Sequence, residues 1–426
     1  MAKGLRGRRR RATNERRRAA EDGGGVSRRG VMEMNDGMEE FDAVVIGAGL
    51  AGLQCARLLA REGVRVLLAD AKRDLSERVH TTGIFVRRTL EDFALPPDCL
   101  GPAVRRVTLY SPARRAQTFE SAHAEFRVGR MGRLYACLLA ECQSVGVEWW
   151  PATRYVSCEA EATDARTLVS LERDGLTRQV ATRFIIGADG ARSRVARDLE
   201  LDCNREWIVG VEEVYEDARL RDGEPQFHCF LDPRLAPGYL AWIVEDGEET
   251  HVGVGGYAER FDASRALAEF RSGLSDRFGL TRAHLVERRG GRIPVGGVLG
   301  RIACARGLVV GDAAGAVSPL TAGGLDPALR LSTLAARVAS QYLKTNDACA
   351  LVPYSGAQFR ARFTSRLWMR RVVRSMRSPL LVEAACAVLR VPPLDRVARH
   401  VFFGRGSFPD VGIASTTQKV EARGAA

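Results

Sequence analysis

No run of 18 uncharged apolar residues occurs in the 426-residue chain, so no transmembrane helix is expected. The ten cysteines never take C-x-x-C spacing, which argues against a zinc site and against a disulfide framework. No metal is expected, and the scattered thiols suit a reducing, cytoplasmic setting. A strong positive charge is also missing from the body of the chain. The net charge is +12, but residues 1–37 hold eleven Lys or Arg against five Asp or Glu, leaving 12 − 6 = +6 for the rest. That distribution argues against a nucleic-acid partner for the folded part. Residues 1–37 have almost no apolar side chains to offset their ordering entropy, so disorder is expected there. The segment reads as a basic arm, as a targeting peptide, or as sequence ahead of a later start at Met32, Met34 or Met38. Glu15, Glu21 and Asp22, with no apolar h-region behind them, fit a targeting peptide poorly, and the later start is the favoured reading.

What the chain does have is a 46% hydrophobic content and length enough for one large domain or two to three ordinary ones. Its organising stretch is residues 41–70. An apolar run at 42–46 has strand character, and Gly47, Gly49 and Gly52 follow in G-x-G-x-x-G spacing. Residues 50–61 read as a helix closed by Gly63, and 64–69 form a second apolar run ending at Asp70. This is a βαβ unit with a phosphate loop. Gly47 permits the tight turn, Gly49 lets the backbone approach a pyrophosphate, and Gly52 allows helix and strand to pack closely. The helix N-terminus at Leu50 and Ala51 offers unpaired N–H groups to an anion. Asp70 can accept hydrogen bonds from a ribose hydroxyl. The motif by itself does not choose between FAD and NAD.

Further along, 87–93 is a short helical stretch, 104–110 and 117–126 are strands, and 130–145 is a helix with Leu134, Cys137, Leu138 and Cys142 on one face. Four strands of a small sheet are expected at 147–152, 155–159, 167–173 and 179–186. Four more follow without helices between them, at 208–216, 226–231, 239–245 and 251–257, which predicts an antiparallel sheet separate from the dinucleotide fold. A helix at 262–278 turns Ala266, Leu267, Phe270 and Leu274 inward. A strand at 306–310 precedes a helix from about 326 to 343. Residues 354–377 form a basic helix, 380–391 an apolar one stopped by Pro392-Pro393, and 404–426 look loosely ordered.

Three motifs stand in order: GAGLAG at 47–52 with Asp70, GADGARSRV at 187–195, and GDAAGAVSPLTAGGL at 311–325. Together they resemble the flavoprotein superfamily of aromatic hydroxylases and geranylgeranyl reductases, over roughly residues 40–345. The resemblance implies FAD as cofactor. It implies that Asp312, after Gly311, holds a ribityl hydroxyl and that Gly323, Gly324 and Leu325 lie against the isoalloxazine edge. It implies that Asp189 braces the domain beside the pyrophosphate and that Arg130 lies near the FAD phosphates and ribityl chain. Gly315 stands where aromatic hydroxylases have histidine. With Ser318-Pro319-Leu320-Thr321, Gly323-Gly324 and the strand from Gly238 to Ile243, it is more similar to the reductases. Two departures stand out. His80-Thr81-Thr82-Gly83 replaces the cysteine that some reductases carry there, and Ala322 breaks the usual run of three glycines. His80 is the one catalytic candidate, weighed against an ordinary structural role. The W-x-W-x-I-P of flavin-dependent halogenases is absent.

The expected fold is α/β. A discontinuous Rossmann-like FAD-binding domain (38–102, 130–202 and 293–345) holds an inserted antiparallel β-sheet substrate domain (103–129 and 203–292). C-terminal helices follow at 346–426. The resemblance implies an FAD-dependent oxidoreductase that reduces double bonds of an isoprenoid or lipid-like hydrophobic substrate. The alternatives are a monooxygenase using NAD(P)H and oxygen, and a flavoprotein with only a binding or electron-transfer role. The electron donor is NAD(P)H or a reduced carrier; no second G-x-G-x-x-G in a βαβ context argues against a permanent nicotinamide site. Residues 358–377 carry seven arginines and no acids, with Arg362, Arg366 and Arg370 spaced at four. That helix either packs on the FAD domain with a solvated basic face or makes a peripheral membrane contact.

Overall fold

A computed structural model describes residues 38–404 apart from 162–165, 217, 219–223, 275 and 393. The basic segment 1–37 and all but the first residue of the 404–426 stretch lie outside the described residues.

The apolar runs at the N-terminal end become the centre of a mainly parallel sheet. Its strand order is Ala303–Cys304, Gly307–Val309, Leu176–Gly187, Glu39–Ile46, Val66–Ala69 and Glu148–Trp150. Ala43, Val44 and Val45 are fully buried, as a strand covered on both faces requires. Helix Leu50–Arg61 has the boundaries that its sequence pattern gives. It packs against helices Met131–Ser144 and Leu325–Thr345, and Gln54 Nε2 donates to Thr333 Oγ1 over 3.1 Å across the second contact. The expected small sheet is instead an extension of the large one. Leu176–Gly187 pairs antiparallel with Thr167–Arg173 through its first half and runs parallel to Glu39–Ile46 as it continues to Gly187.

The second sheet has seven strands: His284–Pro294, Trp207–Glu216, Glu249–Gly256, Ala241–Glu245, Gln226–Phe230, Arg106–Tyr110 and Ala116–Glu120. It is antiparallel except where Gln226–Phe230 meets Arg106–Tyr110 in parallel register. Strand alternation sorts its faces. Ala241, Ile243, Val252 and Val254 pack under helix Ala263–Ser272, whose Ala266, Leu267 and Phe270 are buried as expected. Trp242 lies on the opposite face across Gly253, where an added Cβ would stand 2.2 Å from the indole. The glycine-rich strand is therefore the bed for a large ring. Thr153–Ala160 pairs with Thr167–Arg173 at the margin of the first sheet, and a third sheet joins Ile84–Val86, Phe126–Gly129 and Leu100–Val104.

The basic helix is not continuous. It divides into Gly356–Ala361 and Thr364–Ser375. The amides of Arg362 and Phe363 bond three residues back, and the Thr364 hydroxyl takes the Ala361 carbonyl at 2.8 Å, so the ladder is interrupted. Its arginines do not form one solvated face: Arg362 is exposed, Arg366 is half-buried and Arg370 is buried. Helices Pro379–Val388 and Asp395–Phe403 follow; the second begins just after the proline pair. No helix among the described residues is long and apolar enough to cross a membrane.

Candidate active site

The three glycines of the first loop differ in what surrounds them. Gly47 has φ +101°, and a Cβ there would stand 2.3 Å from the Ala188 carbonyl oxygen. A Cβ on Gly52 would stand 1.9 Å from the Gly47 carbonyl oxygen. A Cβ on Gly49 would have nothing within 4 Å. Two glycines thus serve the fold, and the middle one faces open space at a helix N-terminus that no side chain caps. Asp70 Oδ2 accepts the Ala48 amide at 2.7 Å and Oδ1 the Lys72 amide at 2.8 Å, which ties the second strand to the loop. Asp189 accepts from the Ser193 hydroxyl at 2.6 Å and the Arg194 amide at 2.7 Å, so it braces the turn that flanks the glycine loop.

The third motif opens with a single turn at Gly311–Ala314. The Asp312 carboxylate receives no hydrogen bond among the described residues, and burial raises its pKa to about 6. Such a group can accept hydroxyl donors from a ligand. The following loop is closed by Ser318 N donating to Gly323 O at 3.0 Å and Ala322 N donating to Ser318 O at 2.9 Å. Ala322 takes φ +53°, a conformation that costs a non-glycine residue about 1 kcal/mol. Gly324 then starts helix Leu325–Thr345 with no side-chain cap, leaving a second helix N-terminus open. Below it Asp326 accepts from Thr89 and Arg330, both at 2.8 Å, which fixes the helix start from inside.

These elements surround a cavity of about 1110 Å³. Gly49, Leu50, Ala51, Asp70, Asp189, Gly311, Asp312, Gly323, Gly324 and Leu325 all line it, as does His80. Gly47 and Gly52 shape it from behind. Arg130 is not brought there. Its guanidinium is held outside that lining by the Asp98 carbonyl at 3.2 Å and the Glu248 carboxylate at 3.4 Å. The pKa of His80 is depressed by partial burial and by Lys72 nearby, so the ring is neutral near pH 7.

The remaining walls are mostly apolar. Phe227, Tyr239, Trp242 and Ile293 come from the seven-stranded sheet and the turn before one of its strands, and Met369, Val372 and Val401 from the C-terminal helices. Among the charged groups on these walls is a carboxylate that the motifs did not indicate. Glu212 accepts from Trp242 Nε1 at 2.7 Å and from Arg289 Nε at 2.8 Å, and the Thr82 hydroxyl also bonds to it. Burial alone would raise its pKa, but His251, Arg289 and Thr82 more than offset that and hold it well below the carboxylate range. Its only signal in the sequence is an acid pair, Glu212-Glu213, inside an apolar strand.

An open anion site at one helix N-terminus, an unpartnered carboxylate midway and a second open helix N-terminus fit a long dinucleotide with a flavin at its far end. The profile of the FAD-binding domain family matches residues 40–346. The chain is 29% identical over 322 residues to the digeranylgeranylglycerophospholipid reductase of Methanocaldococcus jannaschii, covering 74% of this chain and 80% of that one. A geranylgeranyl bacteriochlorophyll reductase-like protein of Thermoplasma acidophilum superposes with a TM-score of 0.75 at 18% identity, over 87% of this chain and 98% of that chain. The p-nitrophenol 4-monooxygenase of Pseudomonas putida shares the fold at a TM-score of 0.62 and 14% identity, over 91% of this chain and 98% of that one. The chain belongs to the FAD-binding domain family, and within it is a geranylgeranyl reductase-like, FAD-dependent oxidoreductase.

Proposed function

We propose that this enzyme saturates carbon–carbon double bonds in an isoprenoid or lipid-like substrate. The observation that carries the reading is the single cavity of about 1110 Å³ whose lining joins the Asp312 loop, Trp242 and apolar side chains of the C-terminal helices. The likeness to a digeranylgeranylglycerophospholipid reductase supports it. Bound, reduced FAD supplies the hydride. The amides of Leu50 and Ala51 hold the pyrophosphate, Asp312 accepts a ribityl hydroxyl, and Gly323, Gly324 and Leu325 present bare backbone to the ring edge. Asp70 and Asp189 keep the glycine loop in shape. Tyr239 and Trp242 line the chain's path and exclude water. A neutral His80 counts against a standing acid at that position. Electrons come from a transiently docked NAD(P)H or a reduced carrier.

Such chains are nearly insoluble, so we further propose that the enzyme meets them at a bilayer surface. In the 358–377 stretch Trp368 is 64% exposed, and Leu380 and Leu381 on the next helix are 80% and 62% exposed. Arg362, Arg371 and Arg377 are exposed in the same region. Exposed apolar side chains among arginines suit the headgroup boundary of an anionic membrane.

The monooxygenase reading keeps support from the shared fold, but Gly315 stands where the hydroxylases have histidine. Anaerobic single turnover separates the two. Under the reductase reading, a polyprenyl substrate reoxidises the photoreduced enzyme without oxygen. Under the monooxygenase reading, reoxidation waits for oxygen.

A further inference from the structure

Along helix Thr364–Ser375 the arginines have different fates. Arg374 pairs with Glu206 at 3.1 Å. Arg366 and Arg370 line the cavity, and neither has a carboxylate within ion-pair distance among the described residues. Arg366 spends one N–H on the Ser318 hydroxyl at 3.0 Å. Arg370 is 2% exposed and donates from Nε to the Tyr257 hydroxyl at 3.1 Å. Its two terminal nitrogens are buried with no hydrogen-bond partner. The guanidinium carbon lies 5.5 Å from the Tyr239 ring centroid and 5.0 Å from that of Tyr257, so aromatic faces give it partial compensation. The Tyr257 hydroxyl in turn donates to Glu206 at 2.9 Å.

A guanidinium taken out of water without a counter-ion, as Arg370 is, is strongly unfavourable, and half-buried Arg366 stands one turn before it on the same helix. The arrangement makes physical sense if an anion completes it. Arginine is suited to that anion because its planar fork matches phosphate oxygens. The surroundings limit what the anion is attached to. Met369 and Val372 on the same helix continue the apolar wall, so a charged end at the arginines would leave an uncharged chain in the cavity.

We propose that Arg366 and Arg370 form an anion subsite for the phosphate end of the isoprenoid ligand. The pair fixes which end of the chain stays at this wall and thereby which double bonds reach the flavin loop. This rests on the reading of the cavity as an isoprenoid site.

The test uses the oxidised holoenzyme and needs no turnover. Geranylgeranyl phosphate and geranylgeraniol have the same chain and differ in the charged end. Their dissociation constants are measured by calorimetry in wild type, Arg366→Gln and Arg366→Lys, with inorganic phosphate as a separate ligand. Wild type should bind the phosphate about tenfold or more tightly than the alcohol, on the scale of a hydrogen bond to a charged group. Arg366→Gln should bring the two together, Arg366→Lys should restore part of the preference, and inorganic phosphate alone should bind weakly. Equal affinities in wild type, or a preference unchanged in Arg366→Gln, overturns the subsite while leaving the isoprenoid reading intact. A variant that keeps the preference but lowers the flavin midpoint potential assigns the cation to the flavin and also overturns it. Binding of neither ligand overturns the isoprenoid reading and the subsite together. Arg366 is chosen because Arg370, packed between two tyrosines, is the substitution more apt to disturb folding.

Discussion

Asp70 Oδ2 lies 2.7 Å from the amide nitrogen of Ala48, so the acid ending the second strand holds the backbone between the first two glycines of the loop. The loop is therefore rigid before any ligand arrives, and its glycines can be separated by role. A Cβ at Gly49 meets no protein atom within 4 Å, so Gly49→Val should fold with an unchanged melting temperature, yet purify without yellow colour. Gly52→Ala must push a Cβ to 1.9 Å from a backbone oxygen and should lose stability outright. Flavin absorbance and thermal melts of the two variants check this. A yellow Gly49→Val protein would remove the phosphate from that position.

Asp312 gives a pH prediction with a definite sign. Burial raises its pKa from 3.8 to about 6 when no donor satisfies it. Hydroxyl donors from a bound ribityl chain favour the charged form, so binding lowers the pKa and releases a proton. FAD affinity should rise with pH up to about 6 and stay flat above. In the ligand-free protein the folded state holds the extra proton between 3.8 and about 6, so stability should fall as pH rises through that window. Asp312→Ala should weaken FAD by about 1.5–3 kcal/mol and flatten the affinity profile. Fluorescence titration of released flavin measures both; an unchanged affinity would detach Asp312 from the cofactor.

Much of this site was legible from residue order. Helix Leu50–Arg61 depends on local backbone rules that leave their mark as glycine spacing, while Asp189 and the cavity-lining Asp312 are indicated by likeness to the flavoprotein superfamily. Other features depend on partners far away in sequence. The edge strand His284–Pro294 is polar and contains Gly290-Gly291, so it shows neither alternation nor an apolar run; only its pairing with Trp207–Glu216 makes it a strand. Spacing at four holds for Arg366 and Arg370 on helix Thr364–Ser375, but Arg362 falls in the break before that helix. Arg370 is covered by Tyr239 and Tyr257, more than a hundred residues earlier in the chain. Glu212 went unread for the same reason: its donors Trp242 and Arg289 sit on other strands. Arg130 is indicated by likeness alone, and its ion pair with Glu248, more than a hundred residues later, leaves no mark in the spacing.

The proposed bilayer contact makes a prediction that separates apolar from charged contributions. Trp368→Ser with Leu380→Ser and Leu381→Ser should reduce sedimentation with anionic vesicles at any salt, because each apolar side chain contributes up to about 1.5–3 kcal/mol on full burial. Arg371→Gln with Arg377→Gln should reduce it at low salt only, since that attraction is screened. FAD content should not change in either set. Vesicle binding equal to wild type in the apolar triple variant would contradict the contact.

The central claim is that the flavin adds hydrogen to an alkene and does not insert oxygen. Mass analysis of the product under labelled oxygen tests it most directly. A polyprenyl lipid is incubated with the holoenzyme and a strong reductant, once under labelled oxygen and once without oxygen. The account predicts a product heavier by two hydrogens for each double bond removed, formed without oxygen and carrying no label. A hydroxylated product bearing the oxygen label, formed only when oxygen is present, would contradict it.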